Sequence, residues 1–172
     1  MNKIKYILSN SAKFHHFELA KALYRNGQLN KIICGYPWFK LKKEKIPKNL
    51  VCASGLLRIL REPFMGKIFF KKFDLLLQKL TIKQIDRITT KYVDKNTDAD
   101  VLLSLSSVGV EAGKKMKKNN KIYVCERSSA HIVTQNELIK NEYNEFTKKK
   151  FQIDNWFIER ELEEYENADI IL

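Results

Sequence analysis

The sequence predicts an α/β fold: a Rossmann-like parallel sheet with helices on both faces and a helical insertion at about residues 55–93. Short apolar runs alternate with segments of helical period, which is the pattern of strand–helix units. The first of these runs, Ile4 to Leu8, is dense enough in apolar residues to be buried on both faces, as parallel strands are. The segment from Gly55 to Val93 keeps a helical period with interruptions at Pro63 and Gly66, and so breaks the simple alternation.

Taken in order, Ile4 to Leu8 is the first strand and Ser9-Asn10-Ser11-Ala12-Lys13 the loop after it. A helix follows from about His15 to Asn26, with Phe17, Ala20, Leu23 and Tyr24 at the spacing of one buried stripe and Gly27 as its stop. Ile32 to Cys34 is the second strand, and Gly35-Tyr36-Pro37-Trp38-Phe39 turns the chain out of it. A lysine-rich connection leads to a third strand at Leu50 to Ala53 and then to the helical insertion. Val101 to Leu105 is the next strand. Ser106 and Ser107 are placed to cap a helix of about ten residues that Asn119 and Asn120 end. Ile122 to Cys125 is another strand, followed by the turn Glu126-Arg127-Ser128-Ser129-Ala130-His131. One amphipathic helix then carries Ile132, Ile139, Tyr143 and Phe146. Another, from about Asp154 to Asn167, is expected to bury Ile158, Leu162 and Tyr165. Ile170 to Leu172 opens a further strand, and we expect the natural polypeptide to continue past it, because a domain seldom stops inside a core strand.

Composition sets the broad class. The chain has 172 residues, 44% of them apolar and 30% charged, which suits one globular domain with its own core. No apolar run approaches the ~18 residues of a membrane span, and Ile4 to Leu8 is too short for a signal peptide, so a cytoplasmic location is expected. Cys34, Cys52 and Cys125 are too widely spaced for a disulfide framework or a zinc site and are expected to be free thiols. The net charge is uneven: +18 over residues 1–150 and −6 over residues 151–172, which together give +12. So basic a body suits nucleic acid, acidic head groups or small phosphorylated molecules, and charge alone does not choose among them.

Ligands of open α/β sheets bind at the carboxyl ends of the strands, and two loops there carry distinctive residues. The first spans Ser9, Asn10, Ser11, Ala12, Lys13, Phe14, His15 and His16. The opening of a helix gathers unpaired N–H groups, which suits an anion or a sugar hydroxyl; the alternative is an ordinary strand-to-helix turn. No G-x-G-x-x-G is present, which argues against dinucleotide binding. The second is Glu126 to His131. There Arg127 can grip a phosphate or carboxylate, and His131 stands near a helix N-terminus, where the dipole disfavours protonation and a neutral imidazole can accept or donate a hydrogen bond. The alternative is a capping turn in which Ser128 or Ser129 caps and Glu126 pairs with a neighbouring cation. Trp38, Phe39, Phe64, Phe69, Phe70 and Phe73, interleaved with lysines and arginines, form either a membrane-facing surface or the core of a helical subdomain. Glu137 and Glu145 fall on a lysine-rich amphipathic helix and are expected on its solvated face.

Four strings together resemble the N-terminal domain of retaining glycosyltransferases of family 4, which have the two-domain GT-B fold. They are F-H-H-F-E-L-A-K-A-L at Phe14 to Leu23, G-Y-P-W-F at Gly35 to Phe39, E-R-S-S-A-H-I at Glu126 to Ile132, and I-E-R-E-L-E-E-Y-E-N-A-D-I-I-L at Ile158 to Leu172. The resemblance covers nearly the whole chain and implies an acceptor-side domain, residues 1–172, whose donor-binding partner domain is absent. It implies transfer of a sugar from a nucleotide-sugar to a glycan or lipid-linked acceptor, as in cell-surface polysaccharide biosynthesis, with retained anomeric configuration and neither cofactor nor metal. It places His131 near the transferred sugar as the catalytic residue, and Ser9, Asn10, Ser11, Lys13, His15, Glu126, Arg127 and Ser128 around the substrate. The expected partners are that acceptor, peripheral contact with the inner face of the membrane, and a separately encoded donor-binding domain; nucleic acid is not among them.

The sequence departs from the family pattern where Ser11 and Ala12 stand in place of a first-loop glycine and Ser128 stands where glycine is common. The family's two spaced glutamates and Arg/Lys pair, which belong to the donor half, are absent, so the chain alone is expected to turn over little or not at all. Two rivals remain: a non-catalytic basic module binding membrane or anionic polymer, and an enzyme using His131 and Arg127 on a phosphorylated small molecule.

Overall fold

The computed structural model describes residues 3–95, 98–147 and 152–172. It is an α/β fold built on a six-stranded sheet whose strands all pair in parallel. In chain order the elements are β1 (Tyr6–Asn10), α1 (His16–Arg25), β2 (Leu29–Cys34), α2 (Trp38–Leu41), β3 (Val51–Ala53), α3 (Leu56–Arg61), α4 (Lys71–Lys95), β4 (Val101–Leu105), α5 (Val110–Lys118), β5 (Ile122–Glu126), α6 (Ile132–Thr147), α7 (Asn155–Asn167) and β6 (Ile170–Ile171). The strand order is β3-β2-β1-β4-β5-β6, the doubly wound arrangement in which chain direction across the sheet reverses between β1 and β4.

Alternation along the strands builds two cores. Ile7, Ile33, Leu102, Tyr123 and Cys125 point to one face, where Ile85 and Val93 of α4 and Ala112 and Met116 of α5 cover them. Leu8, Ile32, Cys34, Leu103 and Val124 point to the other, against Phe17 and Ala20 of α1 and Leu41 of α2. The helical insertion is two helices: α3, then short 3-10 turns at Glu62–Phe64 and Ile68–Phe70, where Pro63 and Gly66 interrupt the chain, then the 25-residue α4.

Buried charge ties the first face together. Asp86 of α4, 2% exposed, accepts the N–H groups of Glu111 at 3.1 Å and Ala112 at 3.0 Å, so a neighbouring helix caps α5. Arg160 of α7 pairs with Asp86 and donates from Nε to the carbonyl of Ser107 at 2.6 Å. Burial pushes the Asp86 carboxyl up, and Arg160 opposes that. Glu164 of α7 is wholly buried and accepts from the N–H of Ser107 and of Gly109, and from the hydroxyls of Tyr123 and Ser104. Gly109 permits this closeness, because a β-carbon there would lie 2.1 Å from the Ser104 hydroxyl.

Several expectations are corrected. Ser9 and Asn10 are not loop residues: β1 runs two residues further than the apolar run suggests, both are fully buried, and Ser9 bonds Thr89 of α4 at 2.8 Å. Ser106 and Ser107 do not cap α5. Ser107 takes a left-handed conformation (φ 70°) in the turn before it, and Gly109 holds the cap position with no side-chain bond. Tyr24 is 42% exposed, off the stripe of α1. In α7 the buried residues are Glu161 and Glu164, while Ile158, Leu162 and Tyr165 are only half-buried, because the face toward the sheet meets polar turns there. Cys34 and Cys125 are buried free thiols and Cys52 is a half-buried one. Phe39, Phe69, Phe70 and Phe73 lie at the surface. Among the described residues no helix is long and apolar enough to cross a membrane.

Candidate functional site

The chain leaves β1 toward β2 and leaves β4 toward β5, so the loops after the two central strands diverge and open a crevice over their carboxyl ends. Gly35 makes room at its border: a β-carbon there would lie 2.4 Å from the Ser11 carbonyl.

On one side, α1 and the end of β5 meet. Glu126 reaches back to α1, where one carboxylate oxygen contacts His15 Nε2 and the other lies 3.2 Å from His16 Nε2 without hydrogen-bond alignment. The imidazoles stack with centroids 4.8 Å apart. His15 is exposed, whereas His16 is fully buried, and burial above all pulls its pKa from 6.5 to about 4, against the attraction of Glu126. His16 is therefore neutral at pH 7. Among the described residues, neither its ring nitrogens nor the amide of fully buried Asn10 has a hydrogen-bond partner. The donors of His15, His16 and Glu126 all lie within 4.8 Å of one another, so the trio can share a proton or, with small ring rotations, hold one divalent ion.

On the other side, Arg127 organises its turn. Its Nε donates to the carbonyl of Ala130 at 3.1 Å, Nη1 to Ser106 Oγ and Glu161 at 3.3 Å, and Nη2 to Gln135. The fork that can grip a phosphate is thus engaged with the protein itself. Glu161 also accepts from Ser107 Oγ at 2.7 Å and Tyr165 Oη at 2.8 Å, which binds α7 to both turns. Two connected clefts share Gln78, Arg127, Phe157 and Glu161: one of about 300 Å³ reaching Ser11 and Ser128, and one of about 780 Å³ reaching Lys71, Gln135 and Asn155.

Of the residues singled out by sequence, the structure brings His15 and Glu126 together, and sets Ser11, Arg127 and Ser128 on the clefts. Ser9 and Asn10 lie in the strand beneath, and Lys13 turns away to pair with Glu44, which Lys21 also holds at 2.8 Å. His131 is exposed and rests its ring against Tyr165, centroids 5.0 Å apart, rather than on the His15–His16–Glu126 trio. Gln78, Gln135, Phe157 and Glu161 escaped the sequence reading. Gln78, Phe157 and Glu161 lie on helices remote in sequence from the two loops, Gln135 lies one turn into the helix after the Arg127 turn, and only the helical spacing of Phe157 and Glu161 on one face hints at a shared role. No protein-family model and no curated protein matches this sequence.

Proposed function

We propose that this chain is the acceptor-side lobe of a retaining glycosyltransferase, acting from the cytoplasmic side on a glycan or lipid-linked acceptor in cell-surface polysaccharide assembly. A second lobe supplies the nucleotide-sugar, and this lobe alone is inactive. The observation that carries the reading is the lining of the larger cleft, which adjoins the smaller cleft over the ends of β1 and β4: the amides of Gln78, Gln135 and Asn155, with Phe157. Their oxygens already accept from Arg61, Arg127 and Gln152, which leaves their NH₂ groups to donate to sugar hydroxyls, and an aromatic ring suits the apolar face of a pyranose. His15, with Glu126 behind it, is placed to take up or return the proton of an acceptor hydroxyl. His131 is the residue that the resemblance sets nearest the transferred sugar, and the donor sugar-nucleotide is the reaction's only small-molecule requirement.

Amide-resolved NMR of the 172-residue chain tests this. Titration with mono- and oligosaccharides is expected to move the side-chain amides of Gln78, Gln135 and Asn155, with no turnover of sugar nucleotides by the chain alone. If no saccharide moves those amides while heparin or RNA moves the lysine-rich surface in a salt-sensitive way, the chain is a polyanion-binding module and the proposal fails.

A further inference from the structure

We infer that His15, His16 and Glu126 form a binding site for one divalent transition-metal ion of the zinc class. The chain holds 32 Lys/Arg and three histidines, yet among the described residues the Glu126 carboxylate pairs with no lysine or arginine and meets two of those three histidines. Arg127 beside it is engaged with its own turn, and Lys13 pairs with Glu44. The sheet delivers the carboxylate: Val124 packs toward α1, so Glu126, two residues on, leaves β5 on the same side. Successive residues at the start of a helix point about 100° apart. Here both imidazoles turn to one carboxylate and stack on each other.

Two observations point to an ion between them. His16 is fully buried with both ring nitrogens unpartnered among the described residues, so a donor atom already stripped of water faces the carboxylate. Its Nε2 lies 3.2 Å from Glu126 Oε2 without hydrogen-bond alignment. Two ligands bonded at about 2.0–2.1 Å to a tetrahedral ion stand about 3.3 Å apart. His15 Nε2 contacts the other oxygen, Oε1, and its exposed ring is free to swing outward until all three ligand atoms, now within 4.8 Å of one another, face one centre. Two imidazoles and one carboxylate favour zinc and its neighbours over magnesium and calcium, which take oxygen ligands. Three protein ligands leave a fourth position to water, on the exposed side of His15. The positive end of α1 opposes a cation with about half a charge, and Glu126 outweighs it with a full one. On the glycosyltransferase reading, which this consequence alone requires, the ion occupies the His15 nitrogen that would take up the acceptor proton, so zinc inhibits the transfer and takes no part in it.

Calorimetric titration of the chelator-stripped 172-residue chain with Zn²⁺, and visible absorption with Co²⁺, test the site. One ion per chain is expected to bind, with a ligand-field band for Co²⁺ and no binding of Mg²⁺. His15→Ala removes an exposed side chain and Glu126→Gln keeps the shape of the acid. Each is expected to raise the Kd for Zn²⁺ by about tenfold or more, since even partners outside the ligand shell are worth that much, with both variants native by circular dichroism. His131→Ala, at the chain's remaining histidine, is expected to leave the affinity unchanged. Imidazole NMR of the wild type, which needs no variant to fold, is expected to show Zn²⁺ moving the ring nitrogens of His15 and His16 and not those of His131. Absence of stoichiometric Zn²⁺ and Co²⁺ binding, affinity unchanged in His15→Ala and Glu126→Gln, or an ion lodged at Cys52 or His131 instead would each overturn the proposal. The metal titration contains no saccharide, and the saccharide shifts of Gln78, Gln135 and Asn155 are recorded without zinc, so the metal site and the sugar-site reading fail separately.

Discussion

Glu164 and His16 oppose each other in the response of this fold to pH, and replacing either one exposes the other. Burial raises the Glu164 carboxyl from 4.5 to about 7, against the hydrogen bonds from Tyr123, Gly109 and Ser107. The folded state thus holds that proton more tightly than the unfolded chain does. Its contribution to stability is complete below pH 4.5 and gone above pH 7. His16, lowered from 6.5 to about 4, behaves oppositely. The unfolded chain binds its proton more readily, so its contribution is complete above pH 6.5 and is lost as the pH falls through 4. At about 1.36 kcal/mol per pKa unit, each amounts to about 3 kcal/mol over nearly the same window. The wild type should therefore show little net change from this pair. In Glu164→Gln one of the donors Ser107 N–H or Gly109 N–H faces an NH₂ group, at a cost of about 1–3 kcal/mol at every pH. Relative to the wild type, that variant should be less stable at pH 4 and equal or better at pH 8, a swing of about 3 kcal/mol. His16→Gln should swing the other way. Urea unfolding at a series of pH values, followed through Trp38 and Trp156, measures both. Comparison at each pH cancels every other titrating group. Parallel curves for wild type and Glu164→Gln would refute the reasoning.

Two further outcomes follow from the buried charges. Asp86→Ala leaves Arg160 without its partner and the first N–H groups of α5 uncapped, so unfolding free energy should fall by about 3–5 kcal/mol, measured by urea denaturation. Arg127→Lys supplies one ammonium where the guanidinium joins Ala130, Ser106, Glu161 and Gln135. A loss of about 1–3 kcal/mol is expected, together with loss of the saccharide-induced shift at Gln135, in the same titration that tests the cleft.

Local signals in the sequence were enough for the frame. The run Val101 to Leu105 is a strand because five apolar or small residues between polar flanks have few other homes, and Asp154 caps α7 with its side chain accepting the N–H of Trp156. What stayed hidden was set by partners distant in sequence. Ser9 and Asn10 look like turn residues until Thr89, eighty positions on, supplies a hydroxyl for Ser9. Glu161 and Glu164 look like a solvated face, since nothing near them announces that Arg127, Tyr123 and the Ser107–Gly109 turn will surround them. The aromatic residues near α4 could not be assigned by composition, because core and surface rows share one helical period. At the site, His15 and Glu126 drew notice singly, by residue type and by their place after strands. Their meeting across 111 positions depends on a register that only the sheet provides.

The two sides of the sheet are clamped unequally. One carries α4, α5 and α7, cross-braced through Asp86, Arg160 and Glu164. The other carries α1, whose inner end rests on a histidine and an asparagine amide with unspent hydrogen-bonding capacity. The braced wall carries Gln78 of α4 and Asn155 of α7 on the larger cleft, while at the start of α1 the buried His16 and Asn10 side chains lie where no hydrogen bond among the described residues offsets their lost hydration.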